Sequence, residues 1–284
     1  MAFAQLSILP RRLFRYPLPL SVSVIWSLIS DVKSFMKIGL LLVVVLACSS
    51  MLYAQDDGTV APDRPSFSTG AHIVPPGRVQ VEAGAGHSRF GESSAYDVGE
   101  LLVRAGLFSR FEVRVGLPSY AETKTEAGRT SGATDSFIGG KILLKSGDKG
   151  AVSVLGSAIL PTGSRRMDEH AFQPGGILIS DVNISKKIVV TTNVGYVYAS
   201  WQEQRHDLTF AVSTLNFALT KTVNIYSEFY AQNLRHTWIH RYAAAGGSWT
   251  IRKRTAIDFS GGFGLYNHAH GPDDYYRFGI SRLF

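Results

Sequence analysis

The feature that most constrains the fold of this 284-residue chain is a period-two alternation of side chains, recurring from residue 78 to the C-terminus. In Phe111–Leu117, Phe111, Val113, Val115 and Leu117 alternate with Glu112, Arg114 and Gly116. Successive side chains of a strand point to opposite faces, so such a segment is apolar on one face and polar on the other. Val79, Val81, Ala83 and Ala85 likewise oppose Gln80, Glu82 and Gly84, and Ile257, Phe259, Phe263 and Leu265 oppose Asp258, Ser260, Gly262 and Gly264. The pattern predicts twelve strands, at 78–87, 97–107, 111–118, 134–145, 151–160, 175–184, 188–199, 208–219, 223–232, 242–251, 255–266 and 275–284. Even-numbered strands lead into short turns such as Phe108-Ser109-Arg110 and Ser185-Lys186-Lys187. Odd-numbered strands lead into longer polar stretches at 119–133, 161–174, 200–207, 233–241 and 267–274. A soluble sandwich has no reason to sort its connections this way, whereas a transmembrane β-barrel has short periplasmic turns and long outer loops.

The fold expected is therefore all-β: a single antiparallel transmembrane β-barrel of about 12 strands, with both chain ends on the periplasmic side. Strands of roughly 9–11 tilted residues span a bilayer, and closure leaves no unpaired edge in lipid. Aromatic residues near the strand ends (Tyr96, Tyr120, Tyr196, Tyr198, Trp201, Trp238, Tyr242, Trp249, Tyr266, Tyr275 and Tyr276) are expected to form interfacial girdles. The rival architecture is a lipocalin-like soluble barrel or secreted sandwich, with the apolar face turned inward.

A net charge of +7 would ordinarily raise nucleic acid as a partner. Five of the 29 basic residues (Arg11, Arg12, Arg15, Lys33 and Lys37) lie within residues 1–54 against one acid, Asp31, so the remainder carries only +3. Nucleic acid loses its support. Residues 1–54 read as an N-terminal extension and signal peptide, with Met36 as an alternative start. From there Lys37 precedes the apolar run Ile38–Cys48, and the cut is expected between Ala54 and Gln55. Two other readings are an uncleaved anchor at Val22–Ile29 and lipidation of Cys48, where VLAC approximates a lipobox. Residues 55–77 are Pro-rich and are expected to be a periplasmic lead or a partial plug, with residues 78–284 forming the barrel.

The chain ends in RFGISRLF. Gly279 and Phe284 fit the terminal signature read by the barrel-assembly machinery, while Arg282 stands where an aromatic is expected. The stretch Pro62–Gly70 (PDRPSFSTG), followed by Val74–Glu82, together with Val115-Gly116-Leu117-Pro118 and Leu160-Pro161-Thr162-Gly163, is more specific. Over residues 61–284 the chain resembles the phenol-degradation (MetA-pathway) family of bacterial outer-membrane proteins. That resemblance implies a barrel acting in uptake or transport of small molecules, and supplies no catalytic residues.

In a barrel the inward face decides function. Alternation directs Glu82, Glu100, Arg104, Glu112, Arg114, Asp135, Lys141, Asp181, Asn193, Glu228, Asp258 and Arg277 toward the lumen, because a charge on the lipid face costs about 2–4 kcal/mol near the midplane. Arg104 and Arg114 are expected to face each other on adjacent strands, with Glu82 and Glu112 offsetting their repulsion. These charges either fill a narrow barrel as ion pairs or line a wet conduit. Six of the eight histidines fall in the expected outer loops: His170, His206, His236, His240, His268 and His270. The pairs His236/His240 and His268/His270 are weak metal candidates, since loop spacing fixes no coordination geometry, and no metal or other cofactor is expected. Glycines such as Gly84, Gly86, Gly261, Gly262 and Gly264 lie inside strands, precede no helix and so form no phosphate loop. The function expected is passive passage of a small solute, hydrophobic or aromatic, through a monomeric barrel in outer-membrane lipid. The alternatives are a barrel hydrolase acting on lipid (a deacylase or phospholipase) and a structural or adhesion barrel.

Overall fold

The computed structural model describes residues 58–167, 169–267 and 271–284. The expectations for residues 1–54, including the cut at Ala54/Gln55 and lipidation of Cys48, lie outside the described residues, as do His268 and His270.

The described chain is all strand and connection, with no helix. Its strands are β1 (Val79–Phe90), β2 (Ser93–Phe108), β3 (Phe111–Leu117), β4 (Tyr120–Thr125), β5 (Gly128–Ala133), β6 (Ser136–Gly147), β7 (Gly150–Leu160), β8 (Gln173–Asn183), β9 (Ile188–Trp201), β10 (Gln204–Ala218), β11 (Val223–Leu234), β12 (Trp238–Arg252), β13 (Thr255–Asn267) and β14 (Asp274–Leu283). All pair antiparallel with their neighbours. β1 pairs with both β2 and β14, which closes the sheet.

Twelve staves form the wall. β3 and β4 are two halves of one stave, broken at Pro118-Ser119. β5 and β6 are two halves of the next, broken at Thr134-Asp135. Proline lacks a backbone N–H and cannot continue the ladder there. Ser119 and Thr134 bridge the break instead: the Thr134 N–H donates to the Ser119 carbonyl at 2.9 Å, and the Ser119 N–H donates to Thr134 Oγ1 at 2.9 Å. The stretch 119–133, expected as a loop, is thus the β4–β5 hairpin, and β4 also pairs with the outer end of β2.

Other connections on this rim are shorter than expected. β9 and β10 meet across Gln202-Glu203, both in the left-handed region (φ 51° and 65°), as a two-residue hairpin requires. β11 and β12 meet across Arg235–Thr237. The strands simply continue beyond the span needed to cross a bilayer, because alternation persists into the polar residues.

The outward face is apolar. Ile138, Ile142, Val154, Ile225, Phe229, Phe259, Phe263, Phe278 and Ile280 are all exposed, while their strand neighbours Lys141, Glu228, Asp258 and Arg277 are buried. A soluble barrel or sandwich would show the reverse. The burial of charges and exposure of aliphatic residues fit a bilayer outside and a filled interior inside.

Candidate functional site

The interior is organised around the segment before β1. Residues 58–77 have no regular partner strand, so their backbone donors and acceptors need partners from elsewhere. The inward side chains of the wall supply them, stave by stave. The N–H groups of Asp63 and Arg64 donate to the Glu82 carboxylate of β1 at 3.2 and 3.1 Å. Those of Phe67 and Ser68 donate to Glu228 of β11 at 2.9 and 3.0 Å. Asn193 of β9 exchanges two bonds with Thr69, and Asp181 of β8 accepts from Ala71 N–H at 2.8 Å. Lys141 of β6 donates to the carbonyls of Gly70 and His72 at 2.9 and 2.7 Å, and Glu112 of β3 accepts from Val74 N–H at 2.6 Å. The segment begins at the β12–β13 turn, where Val60 N–H meets the Lys253 carbonyl, and leaves at β2, where Gly77 N–H meets the Gly106 carbonyl. It therefore runs around the inner wall, held largely by carboxylates acting as acceptors for peptide N–H groups.

Two side chains of the segment complete the electrostatics. Arg64 pairs with Glu100 and lies 3.5 Å from Asp258. Asp63 pairs with Arg114 and stands 3.5 Å from Arg104. Arg104 and Arg114 are directly opposed in the β2–β3 ladder. Glu112 lies between them, accepting from Arg104 Nε and Nη2 at 3.0 Å and 2.8 Å from Arg114 Nε, while Glu82 takes Arg104 Nη1 at 3.0 Å. Arg277 stands 3.4 Å from Glu100. Asp135 is buried at the β5–β6 break and accepts from Gly163 N–H at 2.7 Å.

Of the twelve inward candidates, ten touch residues 58–77 directly. Arg277 reaches them through Glu100, and Asp135 serves an outer connection instead. Gly279 faces inward under Arg64: a Cβ there would stand 2.4 Å from Arg64 Nε. Phe284 is exposed, with its N–H donating to the Val79 carbonyl at 2.8 Å.

The half of the interior nearer the hairpins is aromatic. Phe67 of the segment stacks on Tyr230 (4.3 Å between ring centroids) and meets Phe210 edge-on at 6.1 Å. Tyr230 stacks on its ladder partner Tyr242 at 4.6 Å, Trp238 stacks on His240 at 4.1 Å, and Trp201 meets Trp238 edge-on at 6.2 Å. Tyr275 of β14 is buried beside them.

This corrects two sequence expectations. Trp238, Tyr242 and Tyr275 belong to the inner face and not to the girdle, whereas Tyr96, Tyr120, Tyr196, Tyr198, Trp249 and Tyr276 do face outward. Tyr275 shares the strand parity of Arg277, a signal in the sequence that places it inside. His240 lies on an inward face of β12 and is buried, not in an outer loop, while His236 is exposed at the turn with φ 62°. Among the described residues, no group of three or more His, Cys, Asp or Glu side chains could hold a metal ion.

The sequence reading missed the polar partners in residues 58–77: Asp63, Arg64 and Thr69. Their non-periodic pattern carries no face to read.

Several solved structures share this fold. A COG4313 outer membrane channel from Pseudomonas putida F1 matches with TM-score 0.63 and 12% identity, over 79% of this chain and 100% of that one. A NanC porin matches with TM-score 0.52 and 10% identity, over 71% and 98% of the two chains. A KdgM porin matches with TM-score 0.52 and 10% identity, over 72% and 99%. Among curated proteins, none matches. The model of one protein family, described as "Putative MetA-pathway of phenol degradation", matches residues 62–270, and the chain belongs to that family.

Proposed function

We propose that this chain is a monomeric outer-membrane channel that passes a small apolar or aromatic solute down its gradient. The observation that carries the reading is the division of the interior. An aromatic wall (Phe210, Tyr230, Trp238, Tyr242 and Tyr275) faces the hairpin rim, and a dense ion-pair network faces the short-turn rim. Aromatic faces stack planar solutes with about 0.5–1.5 kcal/mol per ring beyond simple burial. The similar chain from Pseudomonas putida F1 is named a channel, which supports the same reading here.

Residues 58–77 act as a partial plug in this proposal; the twelve inward residues line the lumen, and ten of them seat it. Gly279 and Phe284 present the terminal strand to the assembly machinery. The hydroxyls of the inner wall that meet carboxylates, Thr191 at Asp181 and Thr214 at Glu228, are buried in the seat of the segment, and no hydrolytic role is proposed.

Flux into vesicles tests the reading. Barrels reconstituted in lipid should admit a small aromatic faster than a sugar of equal size, and Tyr230→Ala with Tyr242→Ala should narrow that preference severalfold. Vesicles that admit neither solute, with the barrel folded by heat-modifiable gel mobility, would count decisively against a channel.

A further inference from the structure

The two rims differ in how their cations are used. At the hairpin rim, three exposed cations have acidic partners within the chain, Arg89 with Asp274, Arg129 with Glu122, and Arg235 with Asp207, while Lys124, Arg165, Arg166 and Arg205 form no ion pair with a described residue. At the short-turn rim the exposed cations are Arg110, Lys149, Lys186, Lys187, Lys221, Arg252, Lys253, Arg254 and Arg282. None of them forms an ion pair with a described residue, and Asp148 is the one acid in these five turns.

Four of these turns and the C-terminal strand also set a bare apolar side chain beside a cation. Phe108 precedes Arg110, Ile184 precedes Lys186, Leu219 precedes Lys221, Ile251 precedes Arg252, and Phe284 follows Arg282. These five side chains are between 46% and 68% exposed. The Arg282 guanidinium lies 5.4 Å over the Phe284 ring. In the four turns the cation lies one or two positions nearer the aqueous rim than the apolar residue, an order that matches an acyl chain ending in a phosphate. Long basic side chains lay their stems on apolar surface while keeping the charge at headgroup level.

We propose that this rim is a binding surface for anionic glycerophospholipids of the inner leaflet. Its densest part is Arg252 at the end of β12, Lys253 and Arg254 in the β12–β13 turn, and Arg282 on β14. These four cations lie on neighbouring staves, Thr255 being the ladder partner of Arg282, so their mutual repulsion is relieved by an external anion. Arginine forks fit phosphate oxygens in pairs. The pairing of cation and apolar residue recurs in four of the five turns and at the C-terminus, as an annulus of lipid requires. A soluble acidic protein would need one patch and no ring of exposed Phe, Ile and Leu.

The test is lipid titration of the detergent-purified full barrel by native mass spectrometry, comparing phosphatidylglycerol with phosphatidylcholine. Each interfacial cation strengthens binding to anionic lipid by about fivefold. The unmodified barrel should therefore prefer phosphatidylglycerol by about tenfold or more. Arg252→Gln, Lys253→Gln, Arg254→Gln and Arg282→Gln together should reduce that preference to under about threefold. The exposed cations of the opposite rim, Arg165→Gln with Arg166→Gln, should leave it unchanged. On the unmodified barrel the preference should also shrink from 0.05 to 0.5 M salt, a readout independent of whether the fourfold variant folds. Equal affinity for the two lipids, a salt-insensitive preference, or a preference that survives the fourfold change would overturn the proposal. So would rim-dependent capture of an acidic protein without lipid preference. None of these outcomes bears on solute flux.

Discussion

Thr69 and Asn193, 124 residues apart, exchange two hydrogen bonds: the Thr69 N–H donates to Asn193 Oδ1 at 2.7 Å, and Asn193 Nδ2 donates to the Thr69 carbonyl at 2.9 Å. A side-chain amide here does what a neighbouring strand does in a ladder. It satisfies both peptide groups of a residue that has no strand beside it. The same logic explains the carboxylates around it, since Glu82, Glu112, Asp181 and Glu228 accept from peptide N–H groups of the segment.

Replacing Asn193 should therefore loosen the segment without opening the barrel. Asn193→Leu leaves two buried peptide groups unpaired, at about 1–3 kcal/mol each. Labelling of Ser66→Cys by a membrane-impermeant thiol reagent should rise about tenfold or more in that background, with unchanged heat-modifiable mobility. Unchanged labelling would show that the amide does not hold the segment.

Glu112 carries a heavier burden, because it separates the opposed guanidinium groups of Arg104 and Arg114 and also accepts from Val74 N–H. Removing one partner of a buried ion pair costs about 3–5 kcal/mol. For a barrel of this size, Glu112→Ala should lower the temperature of conversion from folded to unfolded gel band by roughly 10 °C. Glu112→Gln, which keeps some acceptor capacity, should lie between.

Gly106 lies where the segment passes β2. A Cβ there would come within 2.2 Å of the Val74 and Pro75 carbonyl oxygens, both backbone atoms with little room to move. Gly106→Val should expel the segment at this point while its own strand still pairs. Single-channel conductance should then exceed that of the unmodified barrel, and equal conductance would remove the segment from control of the pore.

Phe278 lies on the outward face of β14, paired with Phe259 and Ala85. An arginine in mid-bilayer costs about 2–4 kcal/mol. Phe278→Arg should lower the urea midpoint for folding into vesicles, whereas Arg282→Phe at the rim should not. A midpoint indifferent to both would contradict the lipid-facing assignment.

The wall was legible in the sequence stave by stave. Alternation in Phe111–Leu117 is enough to turn Glu112 and Arg114 inward, and a three-residue turn is enough to oppose Arg104 to Arg114. Parity also contained the position of Tyr275, which the habit of assigning strand-end aromatics to a girdle hid. The hairpin rim was read less well: 119–133 folds as strands because the chain continues to pair beyond any bilayer, where hydropathy no longer marks the face.

Sequence alone determined the number of staves and their order, because period two and turn length are local properties. Only the tertiary structure decided what those inward charges meet. Phe67 and Glu228 lie 161 residues apart, and residues 58–77 have no periodicity that could announce a partner. Their peptide groups find acceptors only once closure of β1 on β14 has gathered carboxylates from many staves into one closed interior, where a buried unpaired donor is too costly to leave.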